Sequence, residues 1–201
     1  MWNFFDRKVC LTADEKEWGK AVKEFQRVGL NDVQKFNALP HIGPHQSFNA
    51  STRQILIDFC ESGSQRLLFL EEDCEFVSLS HLTKALQELP ADWDIFYLGG
   101  NISEESFRKP EKYGAHLCRV FNCWTTHAVG YSRKVIETIL EQQPGFSEQM
   151  YDTYLSTRLH EFNTYIVNPM VAVQRSRVSS IWGTFCDYKE KFEASNKAMA
   201  V

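Results

Sequence analysis

Apolar residues fall into two alternating rhythms along this chain. The first is the short run without polar interruption, at residues 9–11, 67–70 and 94–98. Such runs suit strands covered on both faces. The second is helical spacing. Trp18, Ala21, Val22, Phe25 and Val28 share one face, as do Phe48, Thr52, Ile55, Leu56 and Phe59. Leu79, Leu82, Leu86 and Leu89 form a third stripe, and Val135, Ile136, Ile139 and Leu140 a fourth. Punctuation agrees with these limits. Thr12 and Glu15 make a capping-box pattern before the first helix, and Gly29 closes it. The 41–44 segment breaks the chain before the second helix, which ends near Gly63. Pro90 stops the third, Gly99-Gly100 ends the 94–98 strand, and Pro144-Gly145 ends the fourth helix. Residues 33–36 and 124–131 pattern as further strands and 151–159 as a short helix. Residues 164–173 carry one or two strands around Pro169, and 101–118 read as a long polar loop.

Strand and helix in alternation predict an α/β sandwich around a largely parallel sheet. At 201 residues the chain fits one domain. Residues 1–186 are expected to form it, with 187–201 a polar tail. Twenty-two Lys and Arg against 26 Asp and Glu give a net charge of −4. That balance argues against a nucleic-acid partner. No window reaches the ~18 apolar residues of a membrane span, and the start lacks a signal-peptide layout. The expectation is a cytoplasmic protein without a transmembrane segment, with access to the inner face of a membrane. Its six cysteines, with no C-x-x-C pair, are then reduced. His116, Cys118, Cys123 and His127 cluster in sequence, but their spacing fits no common zinc framework.

In α/β sheets, ligands sit beyond the carboxyl ends of strands. This directs attention to residues 12–14, 71–73 and 99–101. Glu71, Glu72 and Asp73 follow the 67–70 strand at once, with Glu75 just beyond. Crowded carboxylates raise one another's pKa unless solvent or a cation relieves them. On an extended segment Glu71 and Asp73 point one way and Glu72 the other. Two hard oxygen donors suit Mg²⁺ or Mn²⁺, which keep coordination positions open for phosphate oxygens.

The segment LLFLEEDCEF (67–76) resembles the strand-plus-acidic motif of glycosyltransferase family 25, the lipooligosaccharide and collagen β-galactosyltransferase relatives. Further likenesses follow in that family's order: LPADWDIFYLG (89–99), THAVGYSR (126–133), DTYL (152–155), Pro169 to Gln174, and Ser179 to Ile181. Gly43 and Ser47 match two positions of its Gly-Cys-x-x-Ser-His turn. Departures are Glu72 for the middle Asp, Pro44 for Cys, Phe48 for His and Ser180 for Asp. The first strand also lacks the usual Asn-Leu-Asp-Arg run.

The resemblance implies a single-domain GT-A-like, Rossmann-like α/β/α sandwich with a mostly parallel central sheet. It implies an inverting transfer of galactose or glucose from a UDP-sugar to a hydroxyl on a glycan, lipid-linked or protein acceptor, as in lipopolysaccharide biosynthesis. The metal, Mn²⁺ or Mg²⁺, falls to Asp73, with Glu71 and His127 as further ligands. The general base falls to Asp152, with Glu148 in reserve. Thr12, Asp14, Arg53, Glu71, Gln174 and Ser179 are expected around the donor, and Trp124 offers a face for a sugar. Two other readings stand beside this one. The first is a degenerate relative that binds glycan or protein without chemistry. The second is another phosphoryl-handling α/β enzyme, which leaves the 89–99 and 126–133 segments unexplained.

Overall fold

The computed structural model describes residues 1–41, 43–102, 108–142, 149–179 and 181–200. In chain order the elements are β1 (Arg7–Thr12), α1 (Glu15–Arg27), β2 (Gln34–Asn37), α2 (Pro44–Glu61), β3 (Arg66–Glu71), β4 (Cys74–Phe76) and α3 (Leu82–Glu88). Then come β5 (Ile95–Tyr97), β6 (Glu111–Lys112), β7 (Leu117–Arg119), β8 (Ala128–Ser132), α4 (Arg133–Gln142) and α5 (Tyr151–Arg158). Last are β9 (Thr164–Val167), β10 (Ala172–Gln174), β11 (Arg177–Val178), β12 (Phe185–Cys186) and α6 (Lys189–Met199).

Eight strands form the main sheet in the order β2-β1-β3-β8-β5-β9-β7-β6. Six run the same way, because β8 is antiparallel to both β3 and β5 and β7 is antiparallel to both β9 and β6. The mostly parallel sheet is therefore the one expected. Side-chain alternation explains the three layers. In β3, Leu67 and Phe69 join one core with Ile55, Leu56, Phe59 and Ile136. Leu68 and Leu70 join the other with Phe25, Leu82 and Leu86. Helices α2 and α4 thus cover one face and α1 and α3 the other.

Three features position the site. Strand β8 enters the sheet between β3 and β5 at the edge where they leave it. Thr126 and His127, which precede β8, therefore meet the end of β3, and the Glu71 amide donates to the His127 carbonyl at 3.0 Å. Gly99 lets another segment pass. A Cβ there would lie 1.8 Å from the Ala172 carbonyl oxygen. That close approach lets the Val171 and Ala172 amides donate to the Leu98 carbonyl (3.0 and 3.1 Å). Strand β10, paired antiparallel with β4, then carries Gln174 to the acidic turn. Thirdly, the 177–186 hairpin pairs β11 with β12 beside that turn.

Several boundaries differ from expectation for local reasons. The cap of α1 is Asp14, whose Oδ1 accepts from the amides of Lys16 (2.6 Å) and Glu17 (3.2 Å), so Thr12 is not a capping-box residue. The strand expected at 124–131 begins only at Ala128, because Thr125 has φ +69°, outside extended backbone. The polar tail is not an appendage. Helix α6 buries Phe192 and Met199. Its Ser195 Oγ accepts from the Ile102 amide (2.9 Å) and its Asn196 Oδ1 from the Met170 amide (3.0 Å). The apolar positions Phe192 and Met199 are two helical turns apart and share a face. Replacing Phe192 by Ala should cost about 3–5 kcal/mol of stability in urea denaturation, as for other buried Phe truncations. A surface tail would lose almost nothing.

Candidate functional site

The pleat of β3 ends at Glu71, and residues 72–73 form a turn. That turn, rather than strand alternation, brings Asp73 back beside Glu71. Glu72, between them, has both carboxylate oxygens engaged. Its Oε2 accepts from the Thr12 hydroxyl and from the amides of Ala13 (3.0 Å) and Asp14 (3.3 Å). Its Oε1 accepts from Arg177 Nη1 at 2.8 Å.

The flanking carboxylates are less well served. Glu71 Oε1 accepts from the Thr126 hydroxyl at 2.8 Å. Burial first, then the nearby Asp73 charge, push its carboxyl up to about 8, and Asp152 adds to the effect. Asp73 Oδ2 accepts from Gln174 Nε2 at 3.0 Å, whereas Oδ1 is buried with no hydrogen-bond partner among the described residues. Burial raises the Asp73 carboxyl, and Arg177 and Gln174 pull it partly back. Arg175 braces the same turn. Its amide donates to the Asp73 carbonyl (2.8 Å), and its Nη2 reaches Glu17 at 2.7 Å.

Glu71, Glu72, Asp73 and Arg177 line a cleft of about 140 Å³ with Pro44 and Phe48. It opens where β1 and β3 end and α2 begins. The hairpin closes one side through Ile181, and Trp182 stands edge-on to His45, with ring centroids 5.0 Å apart. A second cleft of about 490 Å³ is lined by Asp152, Trp124, Thr125 and Tyr188. Asp152 is in the first turn of α5. Its Oδ1 accepts from the Thr153 amide at 2.7 Å, and burial raises its carboxyl. Its charge reaches Glu71, so the two clefts adjoin electrostatically.

The sequence-based site residues divide accordingly. Glu71 and Asp73 are brought together, and Asp152 lines the adjoining cleft. Thr12 and Gln174 hold the carboxylates in place, Thr12 through Glu72 and Gln174 through Asp73. Asp14 is occupied as the α1 cap. Ser179 shapes the hairpin turn, its Oγ accepting from the amides of Ile181 (3.2 Å) and Trp182 (3.1 Å). Arg53 lies on α2 and lines neither cleft. Glu148 and Ser180 lie outside the described residues.

His127 is not part of a ligand group. Among the described residues no three or more His, Cys, Asp and Glu side chains converge to hold a metal. The His127 ring is fully buried against Phe192 (5.3 Å), its Nδ1 lies 3.2 Å from Thr125 Oγ1, and burial lowers its pKa to about 4. The zinc grouping with His116, Cys118 and Cys123 fails by the same criterion, and these cysteines are free thiols. Sequence reasoning missed Arg177 and Arg175. The signal was the Arg-Ser-Arg spacing just after a strand, since a buried acidic turn requires countercharge.

No family model and no curated protein matches the sequence. Solved structures do match in fold. The A197 protein from STIV aligns with a TM-score of 0.55 at 15% identity, covering 87% of each chain. A candidate glucose-1-phosphate thymidylyltransferase from Bacillus anthracis, in complex with a sucrose, aligns with a TM-score of 0.50 at 14% identity, over 97% of this chain and 96% of that one. A glycosyltransferase involved in the glycosylation of the major capsid of PBCV-1 reaches 0.47 at 10% identity, over 95% and 99%. At these identities the first two likenesses establish the fold, a single-domain GT-A-like α/β sandwich, and leave the chemistry to the residues.

Glu71 provides a test of this electrostatic picture. A carboxyl raised in the fold from an ordinary 4.5 to about 8 contributes stability below the lower value and loses it as pH rises through the upper one. Without divalent ions, thermal stability should fall between about pH 4.5 and about pH 8, and Glu71→Gln should flatten that slope. A slope unchanged by the substitution would show that Glu71 is not raised.

Proposed function

We propose that this protein is an inverting glycosyltransferase that moves galactose or glucose from a UDP-sugar to an acceptor hydroxyl, with Mn²⁺ or Mg²⁺ as cofactor. The observation that carries the proposal is the buried, unpartnered Asp73 Oδ1 beside Glu71, at the carboxyl end of β3 in an open cleft. The donor set fits such an ion. Mg²⁺-type cations are held by one or two carboxylates and complete their shell with water and substrate phosphates, so a third protein ligand is not required. Asp73 would hold the ion directly and Glu71 through water. When bound, the ion offsets the charge developing on the departing diphosphate.

The chain's own residues account for the rest. Arg177, beside Asp73 in the cleft, supplies a fixed positive charge on the diphosphate side. Asp152 accepts the proton of the acceptor hydroxyl. The acceptor oxygen bonds to the anomeric carbon as the bond from that carbon to the diphosphate oxygen breaks. UDP leaves, and the configuration inverts.

UDP should raise the melting temperature in the presence of Mn²⁺ and much less without it, and UDP should be released slowly from UDP-galactose or UDP-glucose. Asp73→Asn should abolish the Mn²⁺-dependent shift while circular dichroism stays native. An unchanged shift would remove Asp73 from the site. Asp152→Asn should lower kcat by about 10²–10⁴-fold with UDP affinity intact. Glycan binding with no response to UDP would favour the non-catalytic relative instead.

A further inference from the structure

The cleft lined by Asp152 is larger than the one at the acidic turn, and its walls have a chemistry of their own. At about 490 Å³ it falls within the about 300–1,000 Å³ typical of small-molecule sites. Its floor is preformed. Asn101 and Trp124 exchange backbone hydrogen bonds (3.0 and 2.8 Å) in an isolated bridge. Next to it, Thr125 holds φ +69°, and it is the only non-glycine residue with positive φ among the described residues. A β-branched residue in that region is strained, and such strain gathers at ligand sites. Its roof is α6, docked through Ser195 on Ile102 and Phe192 on His127.

The lining combines two aromatic residues with several hydrogen-bonding groups. Trp124 and Tyr188 supply ring faces, and Asn101 Oδ1 is buried without a hydrogen-bond partner among the described residues. Rings with unsatisfied polar atoms suit a pyranose, which is apolar on its C–H face and polar at its rim. Two charged residues line the cleft, Asp152 and Lys191. Lys191 Nζ sits 5.7 Å from the Tyr188 ring centroid, and it forms no ion pair among the described residues.

We propose that this cleft binds a pyranoside bearing an acid group, carboxylate or phosphate, with the ring on Trp124 and Tyr188 and the acid on Lys191. Calling that sugar the acceptor rests on the transferase reading above; its binding does not. A hydroxyl of the bound sugar would then face Asp152, which makes the acceptor a saccharide and not a peptide side chain.

Saturation-transfer NMR on the full chain, with and without UDP and Mn²⁺, separates these claims. The probes are methyl β-glucoside, methyl β-glucuronide and methyl β-glucoside 6-phosphate. At least one acid-bearing probe should bind about tenfold tighter than the neutral one, and comparison of the two acids identifies the group. Lys191→Met, at an exposed position, should erase that preference and leave the neutral probe unchanged. Tyr188→Leu should weaken all three. Equal binding of neutral and acidic probes, a preference that survives Lys191→Met, or no binding under either condition would overturn the proposal. Should UDP fail to bind while the acid preference holds, the transferase reading falls and this site stands.

Discussion

The site depends on one carboxylate that takes no part in its chemistry. Glu72 ties the end of β1, the turn after β3 and the 177–186 hairpin to a single pair of oxygens. Its extra methylene, compared with Asp, extends its reach toward the first strand's amides and hydroxyl. With both Glu72 oxygens taken by Thr12, two backbone amides and Arg177, Glu71 and Asp73 are the less satisfied carboxylates of the cleft. Burial raises both carboxyls, and the Asp73 charge raises Glu71 further. Had all three carboxylates faced water, the turn would be an ordinary solvated loop.

This arrangement changes how the departures from the family pattern weigh. Glu72 for Asp looks like decay when only the motif is visible. In the fold it is the link between two strand ends and the hairpin. Pro44 is the first residue of α2, where its missing amide costs no helical hydrogen bond. It lines the cleft with Phe48, which makes the wall opposite the carboxylates more apolar than Cys and His would. These changes alter the shape and polarity of the cleft at the acidic turn. Asp73 and Asp152, the groups proposed for the chemistry, match the pattern that the sequence resembles.

The elements that belong to one strand or one helix were legible in the sequence. The uninterrupted run at 67–70, the helical stripes and the breakers locate β3, α1, α2 and α4 to within a few residues, because those signals are local. The acidic turn stood out for the same reason. The unread parts depend on partners distant in sequence. Nothing in residues 128–132 announces that β8 is reversed, yet that reversal brings Thr126 to Glu71. Helix α6 looked polar because its buried Phe192 and Met199 are separated by charged neighbours and meet their partners only in the fold. Thr12 fitted a capping pattern, but Asp14 caps the helix and Thr12 serves a carboxylate sixty residues away.

Arg177 shows why such a site cannot be assembled from one motif. A buried acidic turn fixes the sign of the charge that must lie nearby, but not the segment that supplies it. Here the supply comes from a hairpin whose exposed face carries Val178, Trp182 and Phe185, while Arg177 and Ile181 turn toward the cleft. The hairpin therefore couples two events. Any anion that enters between Arg177 and Asp73 competes with Glu72 for the guanidinium, and Glu72 in turn holds the end of β1. The cleft at the acidic turn, the hairpin and the first strand end should consequently respond together to a bound diphosphate. That coupling follows from charge and connectivity alone, whichever sugar the diphosphate carries.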